Sequence, residues 1–424
     1  MERKEISRKK HEEQGFALIV AIIFTTSLLL LATPFLFQLS NDNRLTQKSY
    51  KSSASLSLAE AGVERTIWEL NYGDILTWEG DSSLRTLTIS DFQTSGGSVI
   101  GDIEISITNP EEDHPVVVST GKFTSGGPQQ VVKTVRVQLG GFPAFYFGAF
   151  GNDGIQIDRQ ITVDSYDFRN GDYGGLNVGS KVYIGTNSTL SGGIWIDADS
   201  VINGNVISGY DSDPDQVITA DPSANIYGIK RSLFTALELP SVLAPVGLSY
   251  RGDYSLDDNS LDTISDSGEY DSFSLGRNST LRIDGEVTLY VTGDFYMDKN
   301  SEIEIASDAS LTIYLGAGNF EMDAGTAMNN LSLDPTKLLI YGTGSFNGEI
   351  YMDQNTAFNG AIYASQGDVS LDVSVGFYGA VVAKNVTIDV GTVIHYDLSL
   401  EELEILPSMG ALYEVKTWQE KLTH

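Results

Sequence analysis

No cysteine occurs among the 424 residues, so disulfides, thiolate metal sites and a cysteine nucleophile are excluded. Histidine is nearly as scarce: His11, His114, His395 and His424 stand far apart, with no pair at the spacing of zinc ligands. Basic residues number 26 against 57 acidic ones, and the net charge of -31 repels phosphate backbones. Nucleic acid is therefore excluded as a partner. The chain also lacks a Gly-x-Ser-x-Gly elbow, a His-Glu-x-x-His helix, a dinucleotide-binding glycine fingerprint and a phosphate loop. Lys122 follows Gly121, but Phe123 stands where a phosphate loop needs Ser or Thr. No cofactor is expected.

What is abundant is carboxylate. Pairs such as Asp164 with Asp167 and Asp197 with Asp199 arise by chance in so acidic a chain, so acid/base work on a sugar is not read from them and no enzyme is expected. Asp211, Asp213 and Asp215 alternate in "DSDPDQ" like the start of a calcium loop, although the required glycine and closing glutamate are missing. They stand as metal candidates against a solvated loop. Arg251-Gly252-Asp253 is an adhesion-type tripeptide short enough to occur without meaning.

One long apolar run is present. No charged side chain lies between Gln14 and Asn41, and residues 16–37 are almost all apolar. As helix they extend about 33 Å, enough to cross a bilayer. A removable secretory signal has a shorter apolar stretch of roughly 7 to 15 residues. Arg3, Lys4, Arg8, Lys9 and Lys10 precede the run and only Arg44, Lys48 and Lys51 follow it closely, which favours a cytoplasmic N-terminus and a single-pass protein of the inner membrane with its bulk outside. Pro34 is expected to kink the helix. Beyond it, Leu56, Ala59, Val63, Ile67 and Leu70 recur at helical spacing and predict one apolar stripe.

A charged leader, then Gly15, then "FALIV" at the head of a long helix resembles a type IV prepilin leader. The stretch "SLSLAEAGVERTIWEL", with Ala59, Glu60, Ala61 and Gly62, resembles the matching segment of PilX-type minor pilins. The resemblance implies that a prepilin peptidase cuts after Gly15, that Phe16 becomes a methylated N-terminus, and that the helix stays in the membrane. Main pilins of this family carry a glutamate five residues into the mature chain; here that position is Val20. An apolar residue there resembles PilX-type minor pilins and K-type pseudopilins, linked to initiation or the tip of a fibre. An uncleaved single-pass anchor is the alternative the residues leave open.

From about Thr86 to Gly140 the period changes to two: "GDIEISIT" and "KTVRVQL" alternate as half-buried strands of an antiparallel meander, and "TSGGPQQ" reads as a turn. From Phe145 short β-type runs dominate, with echoes such as "VTLYV" and "LTIYL", Met297-Asp298, Met322-Asp323 and Met352-Asp353, and "FNGEIYM", "FNGAIYA" and "FYGAVVA". Irregular spacings between echoes suit a parallel β-solenoid whose loops vary, with an irregular antiparallel sandwich as the alternative.

The expected fold is thus an α+β pilin-like module, with a long N-terminal transmembrane helix and a small antiparallel sheet, followed by an all-β domain read as a parallel β-solenoid. The boundaries are a leader at 1–15, a transmembrane and assembly helix at 16–72, the small sheet at 73–144, the β domain at 145–400 with an excursion at 232–274, and a cap at 401–424. The resemblance implies a minor pilin or pseudopilin working in fibre assembly, priming, tip display or adhesion, with Phe16, Val20 and the stripe from Leu56 to Leu70 carrying assembly. Its partners would be other pilins, the pilus assembly machinery, prepilin peptidase, the membrane and a surface or glycan ligand. The alternative function is a membrane-anchored surface β-helix protein acting on or binding polysaccharide.

Overall fold

In the computed structural model residues 2–93, 99–124 and 131–421 are described, with the backbone alone for 2–17 and for Val99. The chain forms two compact units, residues 1–139 with 415–424, and residues 140–414. A long N-terminal helix is followed, after a small sheet, by a large all-β domain.

The first unit begins with helix α1, Glu2–Tyr72, assigned without interruption through Pro34. Five strands follow: β1 (Glu79–Gly80), β2 (Leu84–Gln93), β3 (Val99–Thr108), β4 (Val116–Phe123) and β5 (Val131–Gly140). They pair in chain order as the antiparallel meander that their alternation predicts. The "TSGGPQQ" turn lies mostly outside the described residues. Strict alternation buries one face: Ile103, Ile105, Ile107, Val117, Val135 and Val137 are nearly inaccessible.

A sixth strand joins this sheet beside β5, and it is the C-terminal segment Glu414–Lys421. The expectation that 401–424 caps the β domain is corrected accordingly. "EVKTWQEK" instead forms an exposed edge strand held to the small sheet, with Lys133 of β5 ion-paired to Glu420. The large unit is therefore inserted in the chain between two adjacent strands of the small sheet.

Within the second unit the strands pair almost entirely in parallel. Inward residues of successive rounds stack: Val287 on Leu311 on Leu338, and Phe273 on Phe295 on Phe320 on Ile350. The three phenyl rings stack at 4.9 and 4.7 Å. Each fully buried side chain of this size contributes about 1.5–3 kcal/mol of transfer free energy, which makes these columns the core. The echoes at 287 and 311, at the three Met-Asp pairs, and at Phe358 and Phe377 fall in register. Phe346 does not: it lies buried in a turn, and Ile350 of "FNGEIYM" pairs instead with Phe320 and Val369.

The order of rounds differs from the order of the chain. Ala149–Ile157 and Thr162–Tyr166 begin the unit, and later strands build outward from them to Lys230–Ser232. Residues 233–249 then run as a strap without named strands, after which Tyr250–Leu256 starts a second run of rounds. That run ends at Gly376–Ile388 and Val393–Asp397, which pair with the first two strands. The chain thus enters and leaves in the interior of its own sheet, where Phe142 bridges Ile405. The strap is tied by Leu237 N–H to Asn187 Oδ1 (2.9 Å), the Tyr363 hydroxyl to the Pro240 carbonyl (2.7 Å) and Leu243 N–H to the Met409 carbonyl (2.7 Å). The expected excursion of 232–274 is therefore too long: residues 250–274 belong to the rounds, because "YRGDYSL" and "GEYDSFSL" alternate beneath their acidic exterior.

Candidate functional site

The helix that carries most of the sequence-derived site residues has two distinct stretches. Gly15 and Phe16 fall where only the backbone is described. From Leu18 to Leu39 the large apolar side chains are exposed, Val20 at 49% and Leu31 at 77%, and this stretch is long and apolar enough to cross a membrane. Further along, α1 packs on β3 and β4.

The face it buries is not the predicted one. Ala59 and Val63 are buried as expected, but Leu56, Ile67 and Leu70 are only half-buried and Glu60 is exposed. The buried line is Ser55, Leu58, Ala59, Gly62, Val63, Thr66 and Glu69. The physical cause is close approach: a Cβ on Gly121 of β4 would sit 2.1 Å from the Ser55 carbonyl oxygen, and one on Gly62 would sit 2.1 Å from Ser119 Oγ. Such contact selects small residues and moves the bulky ones to the flank. Ser55 Oγ donates to the Val131 carbonyl at 2.7 Å, and Tyr50 meets Phe123 edge-on at 5.8 Å.

The metal candidates do not converge. Asp213 caps the short helix Pro214–Val217 by accepting from Asp215 N–H at 3.1 Å, and Asp211 adopts a left-handed backbone. Among the described residues no group of three or more metal-ligating side chains forms. Arg251 and Asp253 lie in the strand Tyr250–Leu256, where Asp253 accepts from Ser272 Oγ at 2.6 Å. Asp197 sits at a corner of the rounds and Asp167 caps Phe168–Asn170 and pairs with Arg169. Neither doublet presents two free carboxylates.

What the parallel register does assemble is a groove in the β domain. Along one outward column, Asn359 pairs with Tyr378, Tyr378 with His395 and His395 with Asp164. The last contact crosses the junction where the end of the unit meets its beginning. His395 Nδ1 lies 2.6 Å from Asp164 Oδ1, both almost fully buried, and the Tyr173 hydroxyl donates to Asp164 Oδ2 at 2.7 Å. Tyr173 stacks on the imidazole at 3.6 Å, with Tyr378 against it at 4.9 Å. The imidazole is thus fixed by its carboxylate and covered by two rings.

Two loops flank the column. The first, after Thr162–Tyr166, carries Tyr173 and is held by Asn177 Nδ2 donating to the Asp167 and Gly171 carbonyls at 3.0 and 2.8 Å. The second, after Ala327–Asn330, turns through Leu333 at φ 60°, with Asn330 Oδ1 accepting from Ser332 and Asp334 capping Pro335–Lys337. Between them lies a cavity of about 360 Å³ lined by Tyr166, Tyr173 and Tyr378 with Asn329, Asn359 and Leu333 among its walls. The three tyrosine rings meet edge-on at 5.6 to 6.1 Å. Burial, then the nearby Asp397, pushes the Tyr166 phenol up; burial, then the bond to Asp164, does the same for Tyr173. Burial also raises the Asp397 carboxyl. Asn359 Oδ1 is buried in this wall and has no hydrogen-bond partner.

Of these groove residues the sequence singles out only Asp164, paired with Asp167 rather than with His395, and His395, weighed as a zinc ligand; the tyrosines and asparagines are not candidates. The aligned echoes "FNGAIYA" and "FYGAVVA" held the signal, since their second residues are Asn359 and Tyr378. His395 and Asp164 join the column only across the junction, 231 residues apart.

Comparison with known proteins adds little to this geometry. A family model described as a domain of unknown function (DUF7305) matches residues 249–403, the second run of rounds. No curated protein matches. Among solved structures, the competence-associated pilin ComZ from Thermus thermophilus is similar at 11% identity, with 88% of this chain and 98% of that one covered and a TM-score of 0.29.

Proposed function

We propose that this chain is a minor pilin or pseudopilin of a type IV pilus-like system, anchored in the inner membrane by α1, with its N-terminus cytoplasmic and its β domain displayed outside. The observation that carries this reading is the division of α1. Residues 18–39 are apolar and uncovered, whereas 55–69 pack into the chain's own antiparallel sheet through small residues. An uncovered apolar helix needs lipid or other helices around it. The leader before Gly15-Phe16 and the Ala59–Gly62 segment, read as PilX-like, support the pilin assignment over a plain anchor. Val20 in place of glutamate supports a priming or tip role rather than a shaft role. Leu56, Ile67 and Leu70, half-buried on the flank of the contact, supply apolar surface for neighbouring pilins and the assembly machinery.

The β domain is read here as a parallel β-solenoid; pairing of each strand with one from the next round supports that reading. Its work is display and adhesion, not catalysis. A membrane-anchored polysaccharide-binding protein is the second reading, favoured by the aromatic groove.

Intact mass and N-terminal sequencing of the membrane-extracted protein, produced with and without a prepilin peptidase, test the proposal. A chain beginning at Phe16 only when the peptidase is present is the expected result. An intact leader in both preparations overturns the pilin assignment and leaves an anchored surface protein.

A further inference from the structure

We propose that the groove between the two loops binds a neutral saccharide, one ring lying against Tyr378 and Tyr173 while a sugar hydroxyl donates to Asn359 Oδ1. Three features converge on that chemistry. The first is the unpartnered oxygen of Asn359, buried in the cavity wall. A buried acceptor left unpaired costs free energy, and an O–H donor from a ligand removes that cost. The second is the ring surface. The Tyr173 hydroxyl is committed to Asp164, so its ring is fixed in place and offers an apolar face or edge to the C–H face of a sugar. Rigid aromatic surface with a few placed polar groups is the usual make-up of a small-ligand site, and about 360 Å³ lies at the small end of such sites.

The third is charge. Among the described residues no lysine or arginine lines the cavity, Asp172 stands on its rim, and the chain carries a net charge of -31. Anionic ligands, including acidic sugars, are disfavoured. A peptide adding as a strand is disfavoured too at Phe358 and Tyr378, which already have partners on both sides. A small cation is the remaining competitor, since tyrosine faces attract one. A quaternary ammonium, which has no donor and no coordination position, leaves the Asn359 acceptor unsatisfied. A bare metal ion would need further oxygen ligands, whereas among the described residues no group of three or more His, Asp or Glu that could hold one forms.

This inference deepens the display role but does not need the pilin assignment. The full chain, solubilised in detergent with its leader intact, is titrated with cellotetraose, maltotetraose and chitotetraose. Saturation-transfer NMR and calorimetry read the binding, and thermal unfolding reads the fold. At least one of the three is expected to bind with transfer concentrated on its ring C–H protons. Asn359→Ala is expected to weaken that binding at least about tenfold with unchanged or raised thermal stability, because it removes an oxygen that no protein group pairs. Tyr378→Ala is expected to abolish it. No binding of any of the three at millimolar concentration, binding that survives Asn359→Ala, or binding of tetramethylammonium in their place overturns the proposal. Leader cleavage is scored separately, so either reading can fail without the other.

Discussion

At the scale of single residues, a few buried polar contacts and one column of carboxylates adjust the stability that the apolar columns of the β domain supply. Asp164 serves His395 and Tyr173 together. Removing it leaves a buried imidazole nitrogen and a half-buried phenol without their acceptor, so Asp164→Ala is expected to cost about 2–4 kcal/mol, and Tyr173→Phe about 1–2 kcal/mol, in the unfolding transition of the β domain. The column of carboxylates sits at a corner, where Asp298, Asp323, Asp353, Asp372, Asp389, Asp158, Asp197 and Asp221 each donate their N–H to the preceding round. The Asp389 carboxyl lies beside those of Asp372 and Asp158, and two carboxyls can bond to each other only by sharing a proton.

A backbone hydrogen bond from Val390 acts to lower the Asp389 carboxyl, yet burial and its two aspartate neighbours prevail and hold it above the usual range. The stability it contributes is therefore present below its unfolded pKa and lost as pH rises through the raised folded value. Burial acts to raise Asp158 and Asp372, but hydrogen bonds prevail and depress both; their contribution is present above the unfolded pKa and lost as pH falls through the folded one. Asp389→Asn supplies a donor that needs no proton. It is expected to raise the melting temperature at neutral pH by an amount worth less than about 1 kcal/mol, because the corner is screened by solvent. The gain should vanish in mild acid, and a pH series of thermal melts checks both points.

At the scale of elements, α1 and β4 meet through glycine and small residues. Gly121→Val places a side chain against the helix backbone at Ser55 and Ala59, which cannot move aside as a flexible side chain can. A loss of about 1–3 kcal/mol or more is expected, with faster proteolysis within 50–70, measured by limited digestion and melting. The "SLSLAEAG" signature is legible in the sequence as a helix, but its buried face is not. Hydrophobic periodicity picks Leu56, Ala59, Val63, Ile67 and Leu70, of which Ala59 and Val63 are buried, while the closeness of the sheet adds Ser55 and Gly62 and leaves Leu56, Ile67 and Leu70 on the flank. The corners of the rounds were equally legible in retrospect. The runs "DKNSEI", "DAGTAM" and "DQNTAF" repeat an aspartate, a left-handed Asn or Gly two residues on, and a buried Ser or Thr next.

At the scale of the whole molecule, the strap at 233–249 joins two runs of rounds whose junction is paired independently of it. Gly376–Ile388 with Ala149–Ile157 and Val393–Asp397 with Thr162–Tyr166 bury an unbroken core across the join. A protease site inserted at the exposed Val246-Gly247 is expected to be cut readily, while the two fragments stay together on a native gel and separate only in denaturant. Fragments that part on cleavage would mean that the strap, not the junction, holds the domain.

The sequence by itself determined the apolar helix, the antiparallel meander and the all-β character of the rest, because each follows from a local period of 3.6 or 2 that any short window displays. It also excluded thiol chemistry, because no cysteine occurs. Only the tertiary structure decided which round lies beside which, that the C-terminal strand joins the small sheet, and that Asn359, Tyr378, His395 and Asp164 share one column. Those choices depend on pairings between segments up to hundreds of residues apart, where backbone hydrogen bonds and shape, rather than any local pattern, select the partner.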